Sequence, residues 1–301
     1  MYEGRIMKGI GGFYYVNTDI GLIECKPRGI FRKDRQTPLV GDKVLVSLIE
    51  GSPGQGIIRE ILPRKNMLLR PSVANVQQCV VVVATQRPQP DLLLLDRLLV
   101  LAQINEMDKI ICINKMDLDS EGKNQNVIDA YRQVGYVVLC TSTKTGQGIT
   151  KLKEILKDRV SVFAGMSGVG KSSIMNSMQP GLGLKTGETS QKLKRGRHTT
   201  RHVELLELDF GGMVVDTPGF SSLSLGTVKE LKDMEESEFT RFYPEFGNSP
   251  GECRFAGCRH ISEPDCSVKM AVERGGIAGF RYRNYIKLLE ELRQSRRKKY
   301  D

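Results

Sequence analysis

Three spaced glycines followed by a lysine and a serine, set between an apolar strand and a helix, make a cradle for polyphosphate. The run is Gly165-Met166-Ser167-Gly168-Val169-Gly170-Lys171-Ser172, with Ser173 completing the first turn behind it. The strand reads Val160–Ala164 and the helix runs from near Lys171 to about Met178, so loop N–H groups and the helix N-terminus face one anion. Lys171 supplies a point charge for the β- and γ-oxygens, and the Ser172 hydroxyl is placed to ligate Mg²⁺. The alternative is a chance glycine-rich turn, and the remaining motifs argue against it.

Asn114-Lys115-Met116-Asp117 directly follows the apolar run Lys109–Ile113. Guanine presents an N1–H beside an exocyclic amine, and a carboxylate such as Asp117 accepts from both, whereas adenine lacks that pair of donors. A site specified by such hydrogen bonds rejects the wrong base strongly. Asn114 would brace neighbouring loops and the Lys115 stem would lie along the base. After the next strand, Thr141-Ser142-Thr143-Lys144 can offer backbone N–H groups to guanine O6. Asp216-Thr217-Pro218-Gly219 ends a further strand; Asp216 would join the Mg²⁺ shell through water, and the Gly219 N–H would sense the γ-phosphate. The following residue is Phe220, which cannot orient a water. His198, in Gly196-Arg197-His198-Thr199-Thr200, is the candidate orienter, against the reading of a surface histidine in a basic loop. Thr200, or failing that Thr199, would complete the Mg²⁺ shell.

A second constellation is Cys253-x4-Cys258-x-His260-x5-Cys266. Three thiolates and one imidazole suit a closed tetrahedral Zn²⁺ site with no position open for catalysis, one ion per chain. Free thiols in a loop are the alternative. The other four cysteines, Cys25, Cys79, Cys112 and Cys140, lie in strand-like runs and read as small buried hydrophobes in a reducing compartment.

These residues need scaffolds, and 301 residues with 40% hydrophobic content supply more than one core. Residues 1–65 hold short β-branched runs punctuated by Gly and Pro, which read as a small β-barrel, an OB-fold in the first instance and an SH3-like barrel otherwise. Its loop Lys26–Arg35 carries Lys26, Arg28, Arg32, Lys33 and Arg35, beside the stacking candidates Phe13, Tyr14 and Tyr15, and so reads as an RNA-binding arm. Leu68–Asn75 looks like a linker. Residues 66–226 alternate buried strands with helices, the pattern of a doubly wound parallel sheet. Residues 227–301 change again, to an acidic helix near Thr227–Phe239, the Cys/His loop and a terminal helix over Tyr282–Arg297.

The net charge of +10 favours a polyanionic partner. Residues 185–202 hold six Lys/Arg against one acid, and Arg293, Arg296, Arg297, Lys298 and Lys299 form a basic cluster. No stretch reaches about 20 uninterrupted apolar residues and the first residues lack a secretory apolar region, so a cytoplasmic monomer with no membrane partner is expected.

In a conventional GTPase the phosphate loop comes first and the base-reading motifs last. Here the base-reading motifs at 114 and 141 precede the loop at 165, so the domain reads as circularly permuted, which a sheet with neighbouring termini tolerates. With the barrel, GRHTT, DTPGF and the Cys/His tail, the whole chain resembles the ribosome small subunit-dependent GTPase A family (RsgA/YloQ/YjeQ). The resemblance implies an OB-fold, a GTPase domain and a zinc domain acting on the small (30S) ribosomal subunit and its rRNA, with GTP hydrolysed to GDP under stimulation by the subunit during late maturation. A large-subunit assembly GTPase and a nucleotide-gated rRNA-binding scaffold are the rival readings.

Overall fold

The computed structural model describes residues 1–29, 31, 37–69, 71–184, 203–216, 231, 234–247 and 252–297. Period-2 alternation builds the first module. In β4 (Lys43–Leu48, KVLVSL) Val44 and Val46 point inward while their neighbours do not. Together with β1 (Tyr2–Ile10), β2 (Phe13–Thr18), β3 (Gly21–Pro27) and β5 (Gln55–Ile61), it encloses Ile6, Val16, Ile23, Cys25 and Ile58. The strand order is β1-β2-β3-β5-β4, with β3 and β5 parallel and β1 closing on β4. A five-stranded Greek-key closure of this kind is an OB-fold, so the SH3-like alternative is set aside.

Residues 67–75 are not the plain linker the sequence suggests. They form a hairpin of β6 (Met67–Leu69) and β7 (Ser72–Ala74), in which Val73 and Ala74 are fully buried and Val73 bridges to Val40 of the barrel module. The apolar Val73-Ala74 pair could not remain in solvent cheaply, so the chain tucks it between the modules.

The central sheet consists of β8 (Gln78–Ala84), β9 (Asp108–Asn114), β10 (Val137–Cys140), β11 (Val160–Ala164), β12 (Glu204–Glu207) and β13 (Met213–Asp216), in the order β10-β9-β8-β11-β13-β12. All pairs within this set are parallel except β12–β13, an antiparallel hairpin added to the parallel sheet, whose outer strand β12 pairs on its other side with β1 of the barrel. Every residue of β8 and β11 is buried because helices cover both faces. Alternate residues of β8 part accordingly: Cys79, Val81 and Val83 join one core with α1 (Leu92–Ile104), and Val80, Val82 and Ala84 join another with α3 (Ile149–Leu156) and α4 (Lys171–Met178). The helix α2 (Gln125–Gln133) packs Ile128 and Tyr131 into the first of these. Burial pushes the thiols of Cys79 and Cys112 up to about 12 and that of Cys25 to about 11, so these remain neutral; Cys140 is half-buried.

Of the acidic helix expected near Thr227–Phe239, the described portion is chiefly a 3-10 turn over Glu236–Phe242; residues 227–230, 232 and 233 lie outside the described residues. The short helix α5 (Pro244–Gly247), α6 (Ser267–Glu273) and α7 (Gly279–Arg297) follow. Phe239, Tyr243, Phe246 and Tyr285 interlock, with the Phe246 and Tyr285 centroids 4.9 Å apart.

α7 packs on α1, and a single buried cation decides how. Arg281 donates through Nε to Glu245 Oε1 at 2.7 Å, through Nη2 to Glu245 Oε2 at 3.1 Å, and through Nη1 to Asp96. Asp96 also accepts from Tyr131 Oη at 2.7 Å and Asn284 Nδ2 at 2.8 Å, so a carboxylate inside a leucine-rich helix is fully partnered. Burial alone would push Arg281 down, but Asp96 and Glu245 outweigh it and hold the guanidinium well above its usual value. The rings of Tyr243 and Tyr131 lie 4.6 and 5.0 Å from its centre. Replacing Arg281 by Met would strand two buried carboxylates, which we expect to cost about 3–5 kcal/mol. Arg281→Lys should recover only part, because an ammonium lacks the planar fork. Urea denaturation followed by circular dichroism measures both; a loss below about 1 kcal/mol in the Met variant would contradict the account.

Candidate nucleotide and metal sites

The phosphate loop joins β11 to α4, and its glycines are dictated by neighbours. At Gly165 (φ +135°) an added Cβ would lie 2.2 Å from Val82 O, and at Gly170 (φ +101°) 2.4 Å from Asn114 Nδ2. Gly168 is different, since a Cβ there meets Pro88 Cδ at an ordinary 3.6 Å. Ser167 and Gly168 are exposed at the loop's tip, Val169 is buried beneath it, and Met166, Ser172 and Ser173 are half-buried. Lys171 Nζ donates to the carbonyls of Gly165 and Met166, each at 2.8 Å, and burial pushes its pKa down to about 8.

Asn114 is the brace between loops. Its Nδ2 donates to Val169 O at 2.9 Å, and its Oδ1 accepts from Thr141 Oγ1 at 3.1 Å, tying the ends of β9 and β10 to the phosphate loop. Lys115 adopts a left-handed backbone (φ +63°), fixed by Thr85 Oγ1 donating to its carbonyl at 2.7 Å. Its Nζ donates to Gly168 O at 2.7 Å and to Arg87 O. Met116 is half-buried, and its N–H donates to Thr141 O at 3.1 Å. Asp117 is exposed and accepts from the buried Ser142 hydroxyl at 2.6 Å, which ties its carboxylate to the turn after β10. Thr143 is half-buried and Lys144 exposed in the same turn. Thr85 and the loop carbonyl of Arg87 were not legible as site residues; the only signal was their place at the end of a fully buried strand.

β13 runs beside β11, with Val162 opposite Val215, so Asp216 stands level with Phe163, two residues before the phosphate loop begins. Asn114, Thr141, Gly165 and Asp216 thus follow four strands that all run the same way, and the motifs meet at one edge of the sheet although their chain order is scrambled. Ligands of open parallel sheets bind at that edge. His198, Thr200, Gly219, Arg32, Lys33 and Arg35 lie outside the described residues. Lys26 and Arg28 are exposed, with the Lys26 ammonium 4.9 Å from the Phe13 ring centre. Two members of the C-terminal basic cluster are occupied internally: Arg293 forks onto Glu236 at 2.8 and 2.6 Å, and Arg296 donates to the carbonyls of Leu231, at 2.7 Å, and Met234.

In the C-terminal module the ligand atoms of Cys253, Cys258, His260 and Cys266 all lie within 4.8 Å of one another. Cys253 and Cys266 Sγ are 3.9 Å apart, His260 Nδ1 is 3.6 Å from Cys253 Sγ and 3.2 Å from Cys266 Sγ. Tetrahedral bonds of about 2.3 Å to sulfur and about 2.0 Å to nitrogen give edges of roughly 3.5–3.8 Å, so this donor set could hold a metal such as zinc. The loop is well fixed. Tyr282 and Tyr285 hydroxyls donate to the carbonyls of His260 and Arg259, each at 2.7 Å. Burial would raise the Glu263 carboxyl, but N–H groups of the loop, including those of Ile261 and Arg259, and the Arg259 guanidinium outweigh it and hold it down to about 2.

A phosphate loop, a base-reading Asn-Lys-x-Asp and a strand-end aspartate, meeting in this order of chain and this order of space, define a circularly permuted P-loop GTPase. Residues 61–226 match the RsgA GTPase family model and residues 3–58 the RsgA N-terminal domain. The chain belongs to the RsgA GTPase family. It is 48% identical over 298 residues to the small ribosomal subunit biogenesis GTPase RsgA of Caldanaerobacter subterraneus subsp. tengcongensis, covering 99% of this chain and 98% of that one. The RsgA of a Geobacillus species is also 48% identical, with 98% of each chain covered. Among solved structures, YjeQ from Thermotoga maritima superposes with a TM-score of 0.80 at 39% identity, covering 97% of this chain and 98% of that one. YloQ, described as a circularly permuted GTPase, gives 0.78 at 39%, covering 97% and 95%.

The glycine geometry sets an expected contrast. Gly170→Ala must displace the Asn114 amide and should weaken nucleotide binding by at least roughly a hundredfold. Gly168→Ala meets only left-handed backbone strain of about 1–2 kcal/mol, near tenfold. Titration with a fluorescent guanine nucleotide compares them; equal losses would contradict the assignment.

Proposed function

We propose that the protein is a ribosome-associated GTPase that binds the small (30S) subunit through rRNA and hydrolyses GTP to GDP during the subunit's late maturation, stimulated by the subunit. The observation that carries this is the meeting of guanine-reading and phosphate-holding motifs at one sheet edge, flanked by an OB-fold. The name borne by the relatives, small ribosomal subunit biogenesis GTPase, supports the partner. In this reading residues 1–65 bind RNA, 66–226 hold and cleave the nucleotide, and 227–301 form a metal-stabilised docking module. Lys26, Arg28, Arg32, Lys33 and Arg35 contact rRNA phosphates.

Asp117 accepts from guanine N1–H and the exocyclic amine; the Lys115 stem and Met116 line the base, and the Ser142-Thr143-Lys144 turn offers its N–H groups to O6. Residues Gly165 to Ser173 wrap the phosphates, with Lys171 fully charged once it faces them. Ser172, Thr200 and Asp216 would hold Mg²⁺, which supplies charge neutralisation on the phosphates. Gly219 senses the γ-phosphate. His198 orients the attacking water, because Phe220 offers no hydrogen bond.

GTP turnover alone, with small subunits and with large subunits tests the partner. Stimulation by small subunits only is expected, and His198→Ala should lose roughly a hundredfold of the stimulated rate while binding GTP normally. Stimulation by large subunits alone would replace the proposed partner, and a fully stimulated His198→Ala protein would clear that residue.

We propose further that the Cys253, Cys258, His260 and Cys266 site holds one structural Zn²⁺. Such sites contribute apparent binding energies of roughly 10–16 kcal/mol to folding. Cys258→Ala or chelation should therefore unfold residues 252–297, seen as loss of helical signal and protease resistance, with nucleotide binding largely kept. Metal analysis finding no zinc in protein purified without chelators would rule it out.

A further inference from the structure

The barrel is seated on the GTPase sheet through a strand that changes partners. Tyr2–Arg5 of β1 pair with β4 and close the barrel. The β2 ladder continues past a register shift between Ile6 and Lys8, with Lys8 still opposite Tyr15, while on the other side of β1 the partner changes from β4 to β12, where Lys8 stands opposite Glu204. A bulge is the usual device for bending a strand out of one ladder into another. Two side-chain contacts reinforce the junction: Lys8 Nζ lies 3.0 Å from Glu204 Oε2, and Asn17 Nδ2 of β2 donates to Glu207 Oε1 at 2.7 Å. They sit at the two ends of β12.

On its other side the same strand faces β13, with Glu204 directly opposite Asp216. Lys8, Glu204 and Asp216 therefore stand in one row across three strands, each about 4.8 Å from the next. Both β12 and β13 have only four residues, and β13 engages β11 through three of them. Without β1, β12 would be a short edge strand with unpaired backbone groups, which is the weakest element a sheet contains.

We infer that Lys8, Asn17, Glu204 and Glu207 are positioning residues for Asp216: the barrel holds β12, β12 holds β13, and the placement of the Asp216 backbone at the end of β13 follows from the barrel's seat. This rests on the proposed place of Asp216 in the Mg²⁺ shell. A polyanion that grips the barrel acts on Asp216 through a single row of backbone, which gives RNA binding a route to the nucleotide that bypasses the base-reading loops.

The test uses the full chain and binding of a fluorescent non-hydrolysable GTP analogue, measured in EDTA and across a Mg²⁺ series. Lys8→Glu with Asn17→Asp sets like charges against Glu204 and Glu207; Glu204→Lys with Glu207→Lys perturbs the junction from the opposite side. Both double variants should bind within about twofold of wild type in EDTA but need roughly five- to tenfold more Mg²⁺ for half-maximal enhancement, the scale expected when two exposed polar interactions are removed together. The quadruple variant, with charges reversed on both sides, should return to within about twofold. Asp216→Asn is the control. If it shifts the Mg²⁺ dependence while neither double variant does, the ladder inference fails and the Asp216 assignment stands. If it leaves the dependence unchanged, the assignment and the inference fall together. Two shifted doubles without recovery in the quadruple would also overturn the inference, since the effect would then not pass through the junction.

Discussion

The buried ion cluster around Arg281 is the constraint on which the arrangement of the central and C-terminal modules depends. Isolated charges do not survive in such surroundings, and a network of this depth holds only when every carboxylate oxygen finds a donor. Arg281, Tyr131 and Asn284 together provide those donors for Asp96, and Arg281 alone forks onto Glu245. Leucine packing would let α7 slide along α1; a fork of fixed geometry does not. The network thereby sets the rotation and height of α1, whose Leu94, Leu95 and Leu98 border the same small cavity as Gly165, Met166 and Val169 of the phosphate loop. The C-terminal module and the phosphate loop are thus separated by the thickness of one helix.

The second constraint is the common polarity of β8 to β11 and β13. Strand pairing depends on which strands lie side by side and not on the order in which the chain visits them. The permuted order therefore leaves the site edge unchanged, while it moves the exits: the strand ending in Asp216 now leads toward the C-terminal module. Asn114 makes the edge a unit, since one amide bonds the phosphate loop and the Thr141 hydroxyl at once.

What was legible in the sequence was local. The phosphate loop, the Asn114–Asp117 run and the four metal-ligand candidates are contiguous or nearly so, and their chemistry is written in their spacing. The sheet was legible because β8 and β11 are uninterrupted apolar runs. Long-range pairing was not. Arg281 and Asp96 are 185 residues apart, and the one trace of their meeting was an aspartate inside the leucine run of α1. The hairpin over residues 67–74 passed for a linker because its strands are three residues each, too short for a period to register. Arg293 and Arg296 looked like a polyanion-binding cluster because charge along a chain carries no information about which carboxylate or carbonyl will fold over it.

The contact of the barrel on β12 and the contact of the C-terminal module on α1 differ in strength, and magnitudes show which one yields. The barrel also leans on the buried Val73-Ala74 hairpin, but its contact with the site-bearing strands, on β12, rests on one strand pairing and two contacts near the surface, where an ion pair contributes about 0.2–1 kcal/mol. The C-terminal junction is an ion network in the core, where losing one partner costs about 3–5 kcal/mol. A force applied by a bound partner to both modules would be absorbed first at the weaker junction. That junction lies next to Asp216, whereas the stronger one lies behind α1, against the phosphate loop. The fold thus pairs a stiff support for the phosphate loop with a compliant one for the strand that ends in Asp216, which is the distribution a GTPase needs if its partner is to alter turnover without expelling the nucleotide.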